Sequence, residues 1–179
     1  LRALSEASGL DAVVVVTADP SLAARARRAG AVVVDEGSPR GLNGAVGLGT
    51  DAALRLGATS VLVVLSDIPL VLPTDIDELL ARAPDHGALV VPSKEGTGTN
   101  AMLRQPPTIF STCFGGRSLE RHVAAAERCH LACEIVRSAR IGFDLDTPED
   151  LRAFASHESP TETYREVLRL GAATLRPSV

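Results

Sequence analysis

The chain has 179 residues, a formal charge of -4 and a pI near 5.6. That length fits a single domain, 1–179, able to bury a core without disulfide or metal staples. Hydrophobic residues at 45% and charged residues at 22% exclude bulk disorder, and the acidic balance argues against a general binder of the phosphate backbone but not against a small anionic ligand.

The elements follow in chain order. Asp11 to Val16 is a short β-branched run that predicts a strand. Asp19 and Pro20 read as the cap and first residue of a helix ending at Gly30. Ala31 to Val34 is a second strand. A helix over Asn43 to Leu56 follows a polar loop and stops at Gly57. Val61 to Leu65 is a third strand, Thr74 to Ala83 a helix with Thr74 as its cap, and Ala88 to Val91 a fourth strand. Thr99 to Leu103 reads as a fifth strand before the turn at Pro106-Pro107. A helix around Ser118 to Arg128, a strand around Cys133 to Val136 and a helix from Thr147 to about Ala155 come next. A last helix spans about Thr161 to Leu170, within a peripheral tail over 157–179. Short apolar runs alternating with helices predict an α/β fold with a Rossmann-like, mainly parallel sheet covered on both faces. Ligands of such sheets gather outside the carboxyl ends of the strands.

Several classes of function are poorly supported. The apolar runs are far shorter than the roughly 20 residues of a transmembrane helix. No basic-then-apolar leader opens the chain. Three cysteines cannot all pair, which points to a reducing, cytoplasmic setting. Aromatics at 3%, with no Trp, do not furnish stacking platforms for single-stranded nucleic acid. Cys129-His130 with Cys133 lacks the second ligand pair of a zinc site. His86, His122 and His157 fit no Ser/His/Asp order.

Two acidic clusters carry more information. Asp67 follows the apolar run Val-Leu-Val-Val-Leu after Ser66, so it sits at the carboxyl end of a buried strand. It either starts a turn before Pro69 or serves as a ligand for a hard cation such as magnesium. Phe143 to Asp150 reads Phe-Asp-Leu-Asp-Thr-Pro-Glu-Asp. If its first part is extended, Asp144 and Asp146 point to one side. Two like charges there call for a cation or a shared proton. Thr147, Glu149 and Asp150 are explained by the start of a helix; Asp144 is not. Three further stretches suit an anion or a nucleotide. Gly96-Thr97-Gly98-Thr99-Asn100 offers backbone amides and hydroxyls, without the Lys of a Walker motif. Gly115-Gly116-Arg117-Ser118 leads into a helix N-terminus, where Ser118 could also be a plain cap. Asn43 either caps its helix or reads a nucleobase edge.

Taken in order, Leu-Asn-Gly-Ala (42–45), Leu-Ser-Asp-Ile-Pro (65–69), Gly-Thr-Gly-Thr-Asn (96–100), Phe-Gly-x-x-Ser (114–118) and Phe-Asp-Leu-Asp-Thr-Pro-Glu-Asp-Leu (143–151) resemble one family. It is that of the guanylyltransferases of coenzyme F420 biosynthesis, which act on 2-phospho-L-lactate or phosphoenolpyruvate. The resemblance covers about residues 10 to 155. It implies a nucleotide-diphospho-sugar-transferase-like fold and transfer of GMP from GTP to a three-carbon phospho-acid, with release of pyrophosphate. It further implies Mg2+ held by Asp67, Asp144 and Asp146, the phospho-acid at Thr99, Gly115 and Ser118, and the guanine nucleotide beside Asn43. The family's first strand and its basic Lys-x-Arg-Leu loop have no counterpart here: either they precede Leu1 or the loop is truly absent, in which case acid binding is expected without catalysis. The expected partners are GTP and the acid, with a homodimer left open. Phosphoenolpyruvate, 2-phospho-L-lactate and 3-phosphoglycerate remain open as acceptors. Another nucleotidyltransferase of the same fold, of molybdenum-cofactor or sugar-phosphate type, and a non-catalytic phospho-acid binding module are the alternatives.

Overall fold

The computed structural model describes residues 1–38, 40–159 and 161–170. A short helix, α1 (Arg2–Glu6), precedes β1 (Val14–Thr17), α2 (Pro20–Arg28) and β2 (Val32–Asp35). Next come α3 (Gly41–Arg55), β3 (Val61–Val64), α4 (Pro73–Ala81), β4 (Gly87–Pro92) and β5 (Thr99–Gln105). The chain continues through α5 (Ser118–Arg128), β6 (Ala132–Ile135), α6 (Pro148–Ala155) and α7 (Glu162–Arg169).

Local chemistry sets most of these boundaries. The carboxylate of Asp19 accepts from the N–H groups of Ser21 and Leu22 at 2.7 and 3.0 Å, so α2 starts where its cap predicts. Thr147 caps α6, and Asp150 reaches back to the Thr147 N–H at 2.9 Å. Thr161 caps α7 through Tyr164 N–H at 3.2 Å. Two expected starts shift. The cap of α4 is Leu72 rather than Thr74, because Pro73 takes the first helical position, where its missing N–H leaves nothing unsatisfied. The Leu72 N–H is met by Asp75 at 2.9 Å. Likewise α3 begins at Gly41 behind Arg40, so Asn43 lies inside its first turn and caps nothing.

The strands form a parallel pair β1–β2 and a four-stranded sheet in the order β3-β5-β4-β6. The parallel arrangement expected from the sequence holds for β1 with β2 and for β4 with β6. It fails at β5, which runs antiparallel to both β3 and β4, so the sheet is mixed. The cause is the short link 93–98. A tight connection can only return a strand antiparallel to the one before it.

The two central strands are buried on both faces. Ala88, Val90 and Met102 face one layer with Val46 of α3 and Ala125 and Ala126 of α5. Leu89, Val91, Ala101 and Leu103 face the other, with Leu79 of α4, Ile68 and Ile141. Each of the larger side chains among them, such as Leu89, Val90 and Met102, contributes about 1.5–3 kcal/mol through burial. A third cluster joins Phe154 of α6 to Val167 of α7, with Phe143, Leu145 and Tyr164 around it. The tail thus touches the body through Tyr164 and Val167, and 160 and 171–179 lie outside the described residues. Among the described residues no helix is long and apolar enough to cross a membrane.

Candidate active site

Asp67 leaves the carboxyl end of β3, as its place in the sequence predicts. Its carbonyl accepts a hydrogen bond from the N–H of Leu145 at 3.1 Å. That bond seats the extended segment 143–146 against the end of β3. Phe143 and Leu145 turn into the cluster beneath α6 and α7. Side chains alternate along extended backbone, so Asp144 and Asp146 fall on the opposite side. Asp144 is buried at 7% exposure, and its carboxylate accepts no hydrogen bond among the described residues; Asp146 is exposed. The Asp67 carboxyl senses the other two. Burial pushes the Asp67 carboxyl above the usual range, and the charges of Asp146 and Asp144 push it further, against a hydrogen bond with its own backbone. Asp146 is held from behind, because its N–H donates to Asp150 at 3.1 Å.

The second half of the site is built on β5 and α5. Between β4 and β5 the register skips a residue: Val91 pairs with Ala101, but Pro92 pairs with Thr99. Asn100 is the extra residue of this bulge. Strict alternation would place Thr99 on the side of Ala101 and Leu103. The bulge turns it to the α5 side instead, where its Oγ1 lies 3.1 Å from Nδ1 of His122. Asn100 takes the other face and donates to the Ile141 carbonyl at 3.0 Å. The Leu119 N–H donates to Thr97 O at 3.1 Å and ties the start of α5 to the Gly-Thr-Gly-Thr turn.

Ser118 is the first residue of α5, 2% exposed. The cap is Arg117, with φ 52° and no side-chain capping bond, and among the described residues the Ser118 hydroxyl makes none either. The plain-cap explanation of Ser118 therefore fails, since the cap position belongs to its neighbour. Gly115 has φ 113°, a backbone that L side chains rarely adopt. The structure thus brings Thr99, Ser118 and Gly115 to the start of one helix, and Asp67, Asp144 and Asp146 to the end of β3.

Asn43 joins the first group from α3. Its Nδ2 donates to the Phe114 carbonyl at 3.0 Å and its Oδ1 accepts from the Phe114 N–H at 2.8 Å. Both ends of the amide clamp the residue before Gly115.

Two residues given no role by the sequence complete the framework. Lys94, the one lysine among 18 basic residues, pairs with buried Asp150 and lies 5.4 Å from the centre of the Phe143 ring. Through Asp150 it links the 93–98 turn to the backbone of Asp146. His122 sits four residues after Ser118, hence on the same helix face, and that spacing was the available signal for it.

Among the described residues no three His, Cys, Asp or Glu side chains stand close enough to enclose a metal ion on their own. The aspartates form an open set of hard oxygen donors. That suits Mg2+, which is usually held by one or two carboxylates and completes its shell with water and substrate phosphates. A cavity of about 550 Å³ lies apart from these residues, between α4 and 136–141. It is lined by side chains such as Asp75 and Arg140 that are already paired with each other.

The fold is that of known sugar-nucleotide enzymes. A putative nucleotide-diphospho-sugar transferase from Desulfovibrio desulfuricans superposes with a TM-score of 0.73, covering 98% of this chain and 80% of that one, at 19% identity. Sequence relatives are nearer. The phosphoenolpyruvate guanylyltransferase of Sphaerobacter thermophilus is 39% identical over 157 residues, 88% of this chain and 75% of that protein. The 2-phospho-L-lactate guanylyltransferase of Methanothermobacter thermautotrophicus is 31% identical over 172 residues, 94% of this chain and 74% of that protein. A family model described as "Guanylyl transferase CofC like" matches residues 1–178, so the motifs that meet at the ends of β3 and β5 are read as one set, and the chain belongs to that guanylyl transferase family.

Proposed function

We propose that this protein transfers the guanylyl group of GTP to the phosphate of a three-carbon phospho-acid, phosphoenolpyruvate or 2-phospho-L-lactate, releasing pyrophosphate, as a step of coenzyme F420 biosynthesis. The observation that best supports the reading is the bond between Leu145 N–H and Asp67 O, which seats the segment bearing Asp144 and Asp146 against the end of β3, the strand paired with β5. Thr99 and Ser118 offer hydroxyls, and Gly115 a bare backbone, to the acid at the positive end of α5. The clamp of Asn43 on Phe114 fixes that turn while the start of α3 faces the guanine nucleotide.

In the reaction a phosphate oxygen of the acid attacks the α-phosphorus of GTP in line with the departing pyrophosphate. One P–O bond forms and the bond to the β-phosphate breaks. The attacking phosphate is already deprotonated near neutral pH, so no protein base is needed. The task of the chain is to align two anions and to offset their charge. Asp67, Asp144 and Asp146 would hold Mg2+, which supplies charge neutralisation at the phosphate oxygens when bound.

The test is pyrophosphate release with GTP, Mg2+ and each of the three acids in turn, with ATP and CTP as controls. Release that requires GTP and one acid is expected and names the acceptor. Turnover with a sugar phosphate but with none of the acids would overturn the reading.

A further inference from the structure

His122 is fully buried, and both of its ring nitrogens are engaged. Nε2 accepts the backbone N–H of Cys113 at 2.8 Å, and Nδ1 lies 3.1 Å from Thr99 Oγ1. The ring also meets Phe114 edge-on, 4.9 Å between centroids. A peptide N–H can only donate, so Nε2 carries no proton. The ring proton is therefore on Nδ1, and it is donated to Thr99. Burial, with the charges of Arg121 and Arg104, holds the imidazole pKa down to about 4, which agrees with a neutral ring.

The consequence falls on Thr99. A hydroxyl has one proton and two lone pairs. His122 fills a lone pair, and no other hydrogen bond of Oγ1 occurs among the described residues, so the hydroxyl proton is left to donate. The opposite tautomer would consume that proton and turn lone pairs towards an incoming anion. The direction of the whole chain is thus fixed from its far end, at the Cys113 N–H two residues before Gly115.

We propose that His122 is a positioning residue that sets the Thr99 hydroxyl as a donor to the phospho-acid and locks it to the Cys113–Ser118 turn. This rests on the reading of Thr99 as an acid-binding residue.

Two measurements test it. Long-range 1H–15N correlation of the His122 ring in the wild-type protein near neutral pH should show a protonated Nδ1 and a bare Nε2; a proton on Nε2 would overturn the proposal. Steady-state kinetics of Thr99→Val, His122→Phe and the double variant give the second. Each single change should raise the KM for the acid by about tenfold, with the KM for GTP little changed, the size expected for one hydrogen bond to a charged group. The double variant should be no worse than Thr99→Val, because His122 acts through that hydroxyl. His122→Asn, whose amide nitrogen can stand in for Nδ1, should recover much of the acid binding; a folded His122→Asn variant that binds the acid as poorly as Thr99→Val would reject the role of His122, and this arm carries the kinetic test should the Phe variant not fold. Effects that multiply in the double variant, or an unchanged acid KM in folded His122→Phe, would also reject that role. An unchanged acid KM in Thr99→Val would instead reject the assignment of Thr99 itself.

Discussion

The N–H of Leu145 and the carbonyl of Asp67 meet at 3.1 Å, and this one peptide contact joins two acidic motifs that are 78 positions apart in the chain. Its effect depends on what flanks it. Phe143 and Leu145 are drawn into the cluster with Phe154 and Val167, so the aspartates between and after them have only the side facing β3. Hydrophobic packing by α6 and α7 therefore keeps Asp144 and Asp146 on the side of Asp67, whose ionisation their charges disfavour.

Removing one charge at a time tests that arrangement. Asp67→Asn, Asp144→Asn and Asp146→Asn should each lower turnover at least about tenfold at saturating Mg2+, while circular dichroism stays unchanged. Wild-type turnover in all three would reject their assignment as metal ligands.

The raised Asp67 carboxyl adds a pH signature. A group whose pKa is raised on folding binds more protons in the folded state, so its contribution to stability is full in acid and is lost as pH rises through the folded value. At neutral pH, without divalent cation, Asp67 is thus ionised at a cost. Asp67→Asn should melt higher than wild type in metal-free buffer at neutral pH, and the gap should close below the ordinary carboxylate range. A gap that is constant with pH would show that charge is not its source.

Much of this arrangement was legible in the sequence, for identifiable reasons. Valine-rich runs marked β1 to β4, and alternation along an extended stretch put Asp144 and Asp146 on one side. Pairing was not legible. Whether β5 runs parallel or antiparallel depends on the link 93–98, and the bulge at Asn100 exists only once β4 and β5 are in register. Read by alternation from Ala101 and Leu103, Thr99 lands on the wrong face. His122 was passed over because a lone histidine on a helix is indistinct until its two partners are known, although its spacing from Ser118 placed it on the right face.

Asp150 shows how a helix cap can serve a site. It is 5% exposed, accepts from the N–H groups of Asp146 and Thr147, and pairs with Lys94. Asp150→Ala should cost about 1–2 kcal/mol in urea unfolding, the range of a lost cap, and should reduce turnover because Asp146 loses its anchor. Lys94→Met should cost less, about 1 kcal/mol, since Lys94 is 36% exposed and water screens the pair. Equal turnover in Asp150→Ala and wild type would show that Asp146 needs no such support.

Gly142 is held by sterics rather than by backbone conformation. A Cβ there would stand 2.8 Å from the carbonyl oxygen of Ser138 and 3.3 Å from that of Pro92. Both are backbone atoms and cannot swing aside. Gly142→Ala should therefore destabilise the fold by about 1–3 kcal/mol and displace Asp144, two residues on. A melting temperature equal to wild type would mean that the 138–142 turn yields more easily than its hydrogen bond, Gly142 N–H to Ser138 O at 2.8 Å, implies.

Asn43 separates two roles by which substrate suffers. If its amide reads the guanine, Asn43→Ala raises the KM for GTP. If its main work is the clamp on Phe114, the same change loosens the turn before Gly115 and raises the KM for the acid. The two hydrogen bonds at 2.8 and 3.0 Å favour the second outcome. Asn43→Asp is the sharper variant: it keeps an acceptor for the Phe114 N–H but turns a charged oxygen towards the Phe114 carbonyl, where a donor is required. We expect Asn43→Asp to be the more damaging of the two, with a loss of acid binding of about tenfold and a lower melting temperature. A rise confined to the KM for GTP in both variants would return Asn43 to the nucleotide.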